Sequence, residues 1–158
     1  MNFISGERTK AMRRVTVLTL ALITIVLLAC SGSANIEPAN SYATLADALD
    51  AAGMKIESNE ENQFLFSGIF SVPGREIVAS GESLLAFEFP SETETDEQLA
   101  LVSEDGYGIG LKYINWVNDP YFFRNGTLVV VYDGDTSLVK TTLEEAMNEP
   151  IISPAIGS

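Results

Sequence analysis

Residues Val15 to Leu28 form an unbroken run of apolar residues and threonines, and this run decides how much of the chain is left to fold. A basic stretch precedes it, with Arg8, Lys10, Arg13 and Arg14 against a single acid, Glu7. The small residue Ala29 and the chain's one cysteine, Cys30, follow it. A basic start, a short apolar stretch and a small residue at the cut are the marks of a secretory signal. The run holds 14 residues, whereas a helix needs about 20 to cross the hydrocarbon core of a membrane. The expectation is a cleaved segment over 1–29 and a fold built only from what comes after it.

Leu27-Leu28-Ala29-Cys30 resembles the bacterial lipobox, in which a leucine stands three before the cysteine and a small residue directly before it. Leu28 occupies a place where alanine or serine is commoner. The resemblance implies cleavage after Ala29, diacylglycerol on the Cys30 sulfur, and a location on the extracytoplasmic face of a cell membrane. The plainer alternative makes Cys30 an incidental buried thiol. An exported chain with one cysteine forms no internal disulfide, so a spare thiol there needs a reason, and lipidation supplies one. Two or three acyl chains hold a protein durably, since each buried CH₂ contributes about 0.8 kcal/mol.

Removing residues 1–29 takes one of 22 acids and four of nine basic residues, leaving 21 against five, a net charge of −16. Such a charge argues against nucleic acid as a partner, because that binding relies on Lys and Arg neutralising phosphate. It also argues against an electrostatic grip on anionic lipid, which leaves any membrane attachment to the lipid on Cys30. The remaining length suits one domain with a proper core.

Ser31 to Asn40 is small, polar and broken by Pro38, so the stretch 30–40 reads as a tether. The domain is expected over 41–152, with a short tail at 153–158. Thr44-x-x-Asp47 offers a capping box to a first helix with Leu45, Ala48, Leu49 and Ala52 on one face, ended by Gly53. Phe64, Phe66, Phe70 and Val72 alternate as in a half-buried strand. Arg75 to Ala79 and Ser83 to Phe89 predict a hairpin about Ser80-Gly81-Glu82. Ser91-x-x-Glu94 and Thr95-x-x-Gln98 offer caps to a second helix running to about Val102, with Glu92, Glu94, Asp96 and Glu97 favoured by its dipole. Ile109 to Val117 predicts a further strand. Tyr121 to Arg124 and Thr127 to Tyr132 flank Asn125-Gly126, the strongest hairpin signal in the chain. Asp135 or Thr136 then caps a last helix with Val139, Leu143, Ala146 and Met147 on one face, stopped by Pro150. The order α-β-β-β-α-β-β-α implies an α+β fold, a two-layer sandwich of helices on an antiparallel sheet of four to five strands.

Phe70-Ser-Val-Pro-Gly-Arg75 and Trp116-Val-x-x-Pro120-Tyr-Phe-Phe-Arg124-x-Gly126-x-Leu128-Val-Val-Val-Tyr132-x-Gly134-Asp135 resemble segments of a family of small bacterial exported envelope proteins and lipoproteins. The resemblance covers most of the mature domain in order. It implies fold and location, and no activity comes with it. Tyr121 stands where the family pattern has a histidine, so chemistry that needs that imidazole has no counterpart here.

The chain has no histidine, and lipidation would leave no free cysteine. Ser-His-Asp and Cys-His nucleophilic systems and the usual zinc sites are thereby excluded. Carboxylate pairs remain available to an enzyme acting on envelope polysaccharide, but that role depends on a separation in space that sequence does not give. Gly106-Tyr-Gly108-Ile-Gly110 leads into a predicted strand rather than a helix, so it reads as a loop and not a dinucleotide fingerprint; no cofactor is implied. Asp133, Asp135, Ser137 and Glu144 match positions of a calcium loop, yet Leu138 stands where the sharp turn needs glycine, so a helix start and no metal is the better reading. The aromatic segment is the most suggestive. Trp116, Tyr121 and Arg124 are the candidates for gripping a protein or saccharide partner, against the plainer reading that they pack the core. The leading expectation is a non-enzymatic, lipid-anchored binding or accessory module, with a carboxylate-dependent hydrolase as the alternative.

Overall fold

The computed structural model describes residues 36–57 and 68–153. The signal, Ala29 and Cys30, most of the tether, Phe64 and Phe66, and the tail after 153 lie outside the described residues.

The helices are α1 (Tyr42–Ala51), α2 (Glu92–Leu99) and α3 (Ser137–Met147). The strands are β1 (Ile56–Glu57), β2 (Arg75–Ala79), β3 (Glu82–Glu88), β4 (Gly108–Ile109), β5 (Lys112–Tyr113), β6 (Tyr121–Asn125) and β7 (Leu128–Tyr132). Five strands make an antiparallel sheet in the order β1-β2-β3-β7-β6, and β4-β5 form a separate pair. The α+β class, with helices packed on an antiparallel sheet, follows directly. None of the helices among the described residues is long and apolar enough to cross a membrane.

Local chemistry explains most element ends. Ser41, not Thr44, caps α1: its hydroxyl accepts from the Thr44 N–H, and the Thr44 hydroxyl oxygen accepts from the Ser41 N–H at 3.0 Å. The predicted capping box thus lies three residues early, with Thr44 as its second member. Ser91 caps α2 as expected, but Thr95 is buried inside that helix, its hydroxyl turned back to the Ser91 carbonyl at 2.9 Å. That helix stops at Leu99 rather than Val102. Between β2 and β3, Ser80 and Gly81 both take positive φ, 53° and 87°, the pair of left-handed residues that a tight hairpin needs.

Three expectations are corrected. The described part of the strand predicted around Phe64–Val72 is turn and bend, and its residues Phe70 and Val72 pack against the sheet instead of joining it. The strand predicted over Ile109–Val117 is broken at Gly110, whose φ of 61° folds it into the β4-β5 hairpin. The pairing Asn125↔Leu128 puts Gly126 and Thr127, not Asn125 and Gly126, at the β6-β7 turn. Pairing Arg124 with Thr127 would keep the same side chains on the same faces, so the apolar pattern does not choose between the two. Glycine at the first turn position, with φ of 60°, does.

One face of the sheet buries Leu84, Phe123, Leu128, Val130 and Tyr132 against Leu45 and Leu49 of α1 and Val139, Leu143 and Met147 of α3. The other face buries Phe87, Phe122, Val129 and Val131 under Phe70, Ile109 and the half-buried Leu99, Val102 and Trp116. All five residues of β7 are buried, which accounts for its continuous apolar run. The boundary at residue 41 also moves. Ala39 is fully buried and its N–H donates to the Ala146 carbonyl at 2.8 Å, while Ile36 packs on the same core. The last residues of the predicted tether belong to the fold.

Candidate functional site

The structure does not bring Trp116, Tyr121 and Arg124 together. Trp116 is half-buried, meets Phe122 edge to face at 6.1 Å, and donates its indole N–H to the Gly106 carbonyl at 2.9 Å. Arg124 points to the same side of the sheet as Phe122. Its Nη1 pairs with Asp96 of α2, and its Nε donates to the Gly126 carbonyl at 3.1 Å. Both residues tie loop or helix to the sheet. Tyr121 lies on the opposite face, where the Lys140 ammonium of α3 sits 4.9 Å from its ring centre. Nor is β6 an open edge near its start, since Phe122 exchanges backbone hydrogen bonds with Ile151 and Ile152. A recognition edge there is occupied by the chain itself.

Tyr121 does open into a groove. It has a volume of about 430 Å³ and lies between the 117–119 loop and the start of α3, with Tyr107, Asp119, Asp135 and Lys140 among its walls. Close packing shapes it. At Gly106, φ 75°, a Cβ would come within 2.8 Å of the Phe122 ring and 2.9 Å of Pro120. At Gly134 a Cβ would meet the Tyr132 hydroxyl at 2.2 Å. That hydroxyl donates to Glu82 and accepts from the Thr136 N–H, each at 3.0 Å, and burial pushes its pKa above the ordinary tyrosine value. The network anchors the first turn of α3, the groove's far wall. Of the residues weighed as a calcium loop, Ser137 and Glu144 lie within α3, whereas Asp133 and Asp135 precede it.

The near wall is lashed by polar bonds. The Tyr107 hydroxyl donates to Asp119 at 2.7 Å, and this bond raises the Tyr107 pKa. The Val117 N–H donates to Asp133 at 2.9 Å. Tyr107 and Tyr113 stack with ring centres 5.8 Å apart. These bonds leave apolar side chains pointing into solvent: Leu111 is fully exposed, Val117 is 88 % exposed and Tyr113 is 74 % exposed. The groove has an acid on each wall, one ammonium and the exposed Val117. Asp119 and Asp135 are its two carboxylates.

Of the sequence candidates only Tyr121 lines this groove. Asp135 was weighed with Thr136 as the cap of the last helix, a place Thr136 takes without a side-chain bond, and Lys140 and Val117 carried no signal beyond being a lysine on a polar helix face and an apolar residue in a predicted strand. No family model, curated protein or solved structure matches this chain.

Proposed function

We propose that the chain is a lipoprotein held on the extracytoplasmic face of a membrane by acyl chains on Cys30, and that its domain is a non-enzymatic binding module. The anchor rests on the basic start, the 14-residue apolar run and Leu27-Leu28-Ala29-Cys30, together with the resemblance to small exported envelope proteins. With Ile36 and Ala39 packed on the domain, the tether shortens to residues 31–35, reaching roughly 17 Å when extended.

The observation that carries the binding reading is the exposed Val117 lining a polar groove, with the exposed Tyr113 stacked on Tyr107 of its wall. Single exposed apolar residues are ordinary, whereas a group rimmed by polar residues marks an interaction site. The tests separate the two parts. A fatty-acid analogue should label the wild type in cells and leave Cys30→Ala unlabelled; label on the variant removes the anchor. Tyr113→Ser combined with Val117→Ser should abolish partner capture from solubilised membranes while the melting temperature stays put, and undiminished capture removes the groove.

One observation favours the hydrolase alternative: Asp119 and Asp135 line the same groove. Asp119 already accepts the Tyr107 hydroxyl, which suits a structural acceptor better than a general acid. Release of reducing ends from envelope polysaccharide, lost in Asp135→Asn, would decide for the enzyme.

A further inference from the structure

We infer that the groove is taken by the chain's own stretch 154–158, with Ile156 on Val117, so that a partner must displace it; the proposal rests on the binding-module reading. The described chain delivers that stretch to the groove. After α3 the backbone turns at Asn148, whose φ is 73°. Ile151 and Ile152 then run antiparallel along the outer edge of β6. They head toward the start of β6, where Tyr121 opens into the groove. Ile152 stands opposite Phe122, and the same register sets Ser153 opposite Tyr121 and Pro154 opposite Pro120. Neither proline has an N–H to donate, so the ladder can go no further. The stretch 154–158 thus starts beside Tyr121 and the 117–119 loop. Its five residues reach roughly 17 Å when extended, enough to cross a groove of about 430 Å³.

The chemistry of the stretch fits the site. From residue 150 to residue 158 no side chain is charged, in a mature chain that carries a net −16. Asp119 and Asp135 repel an acidic segment and leave this one alone. Ile156 is its one large apolar side chain, and Val117 is the exposed apolar residue of the groove lining. Setting one on the other takes both out of water. Asp119 accepts the Tyr107 hydroxyl, and a carboxylate has about four acceptor sites, so backbone N–H groups of 155–158 find acceptors there. A contact within one chain needs little intrinsic strength. A short linker sets an effective concentration on the order of 1 mM, so a contact of millimolar affinity is already half formed. An outside partner then binds only molecules whose groove is free, and its apparent affinity falls by that fraction.

The test compares the mature lipidated chain with one that stops at Ser153, both in detergent and read by NMR. The intact chain should show a nuclear Overhauser contact between the Ile156 and Val117 methyl groups. Its amide shifts over 117–119 and 134–140 should differ from those of the shortened chain and hold on tenfold dilution. Ile156→Ser in the intact chain should move those shifts toward the shortened chain's. Added in trans, the hexapeptide Ser-Pro-Ala-Ile-Gly-Ser should shift the same amides of the shortened chain saturably, and its serine-for-isoleucine analogue should bind at least tenfold more weakly. The intact chain should bind the hexapeptide at least twofold more weakly than the shortened one. Identical amide shifts in the two chains, with no methyl contact, would overturn the inference. So would shifts that vanish on dilution, which belong to the tail of a second copy. If the methyl contact is absent while Tyr113→Ser with Val117→Ser still loses partner capture, the binding module stands without its tail. Undiminished capture by that double variant removes the groove as a partner site, and the displacement with it, whatever the methyl groups show.

Discussion

The two faces of the central sheet are covered by different means. On one, α1 and α3 lay periodic apolar stripes over Phe123, Val130 and Tyr132. On the other, Phe87, Phe122 and Val131 lie under turns, the end of α2 and the small β4-β5 hairpin. The helix cover satisfies most of its own backbone, and its polar ties to the sheet gather at the helix starts, where the Tyr42 N–H donates to Glu88 and Thr136 bonds Tyr132 and Glu82. The loop cover is fastened by separate polar ties: Ser71 to Glu94 and Gln98, Trp116 to Gly106, Tyr107 to Asp119, Val117 to Asp133. Each such bond contributes only about 0.5–1.5 kcal/mol net, so the loop cover should open locally well below the global unfolding free energy. The groove has its near wall on the side that can give way and its far wall at the start of α3.

Two fully buried phenylalanines measure the contrast. Phe123→Ala on the helix side and Phe87→Ala on the loop side should each cost about 3–5 kcal/mol in urea melts. Phe87 should fall at the low end of that range. Its neighbours Phe70 and the Gly74 backbone belong to a turn that can settle into the space left behind. A cost below 1 kcal/mol for Phe87→Ala would mean that the loop cover contributes no core.

Trp116→Ala comes next, at about 2–3 kcal/mol, since the indole is half-buried and loses an edge-to-face contact worth about 0.5–1.5 kcal/mol together with its hydrogen bond. Trp116→Phe should recover part of this. An unchanged melting temperature in Trp116→Ala would return the ring to the surface and to a role in recognition.

Removing the first docked residues should cost less. A chain beginning at Ile36 should melt cooperatively, and one beginning at Ser41 should lose about 1–2 kcal/mol by giving up the burial of Ala39 and Ile36. Equal stability of the two would put the domain boundary back at residue 41. A non-cooperative melt of the longer chain would show that the core needs the anchor or a partner.

The same contrast explains what was legible from sequence. The helix-covered side repeats at 3.6 residues and the strands at two, so α1, α3, β2, β3, β6 and β7 could be placed within a few residues. The loop cover has no period. Phe70 and Val72 share parity with a strand yet sit in turns, and one glycine at positive φ, Gly110, converts an apparent nine-residue strand into a hairpin. The site suffers from the same limit. Trp116 and Arg124 drew notice for their residue types, but their partners Gly106, Phe122 and Asp96 are 10, 6 and 28 positions away and already occupy them. Tyr121 reaches the groove because β6 turns it toward α3. Lys140 and Val117 meet at the groove only through a juxtaposition that no spacing announces.

The smallest expected effect is also the most local. Asp105 accepts hydrogen bonds from the Ser103 hydroxyl and from the Tyr107 N–H, and Ser103 in turn accepts from the Gly108 N–H at 2.7 Å. The Ser103 bond, then the Tyr107 bond, hold the Asp105 carboxyl below its ordinary value of 3.8. A depressed carboxyl stabilises the folded loop through its charged form. That contribution is complete above the ordinary value and is lost as pH falls through the lower folded value. Asp105 is exposed, so global stability should barely register the change. The loop that presents Tyr107 to the groove should register it. In an NMR titration the Asp105 carboxyl should show a midpoint below 3.8, the Tyr107 amide should move in step, and Asp105→Asn should remove the acid transition from that amide. A midpoint at or above the ordinary value would mean that these bonds do not hold in solution, and that the near wall of the groove is set by the Tyr107–Tyr113 stack and the Asp119 bond instead.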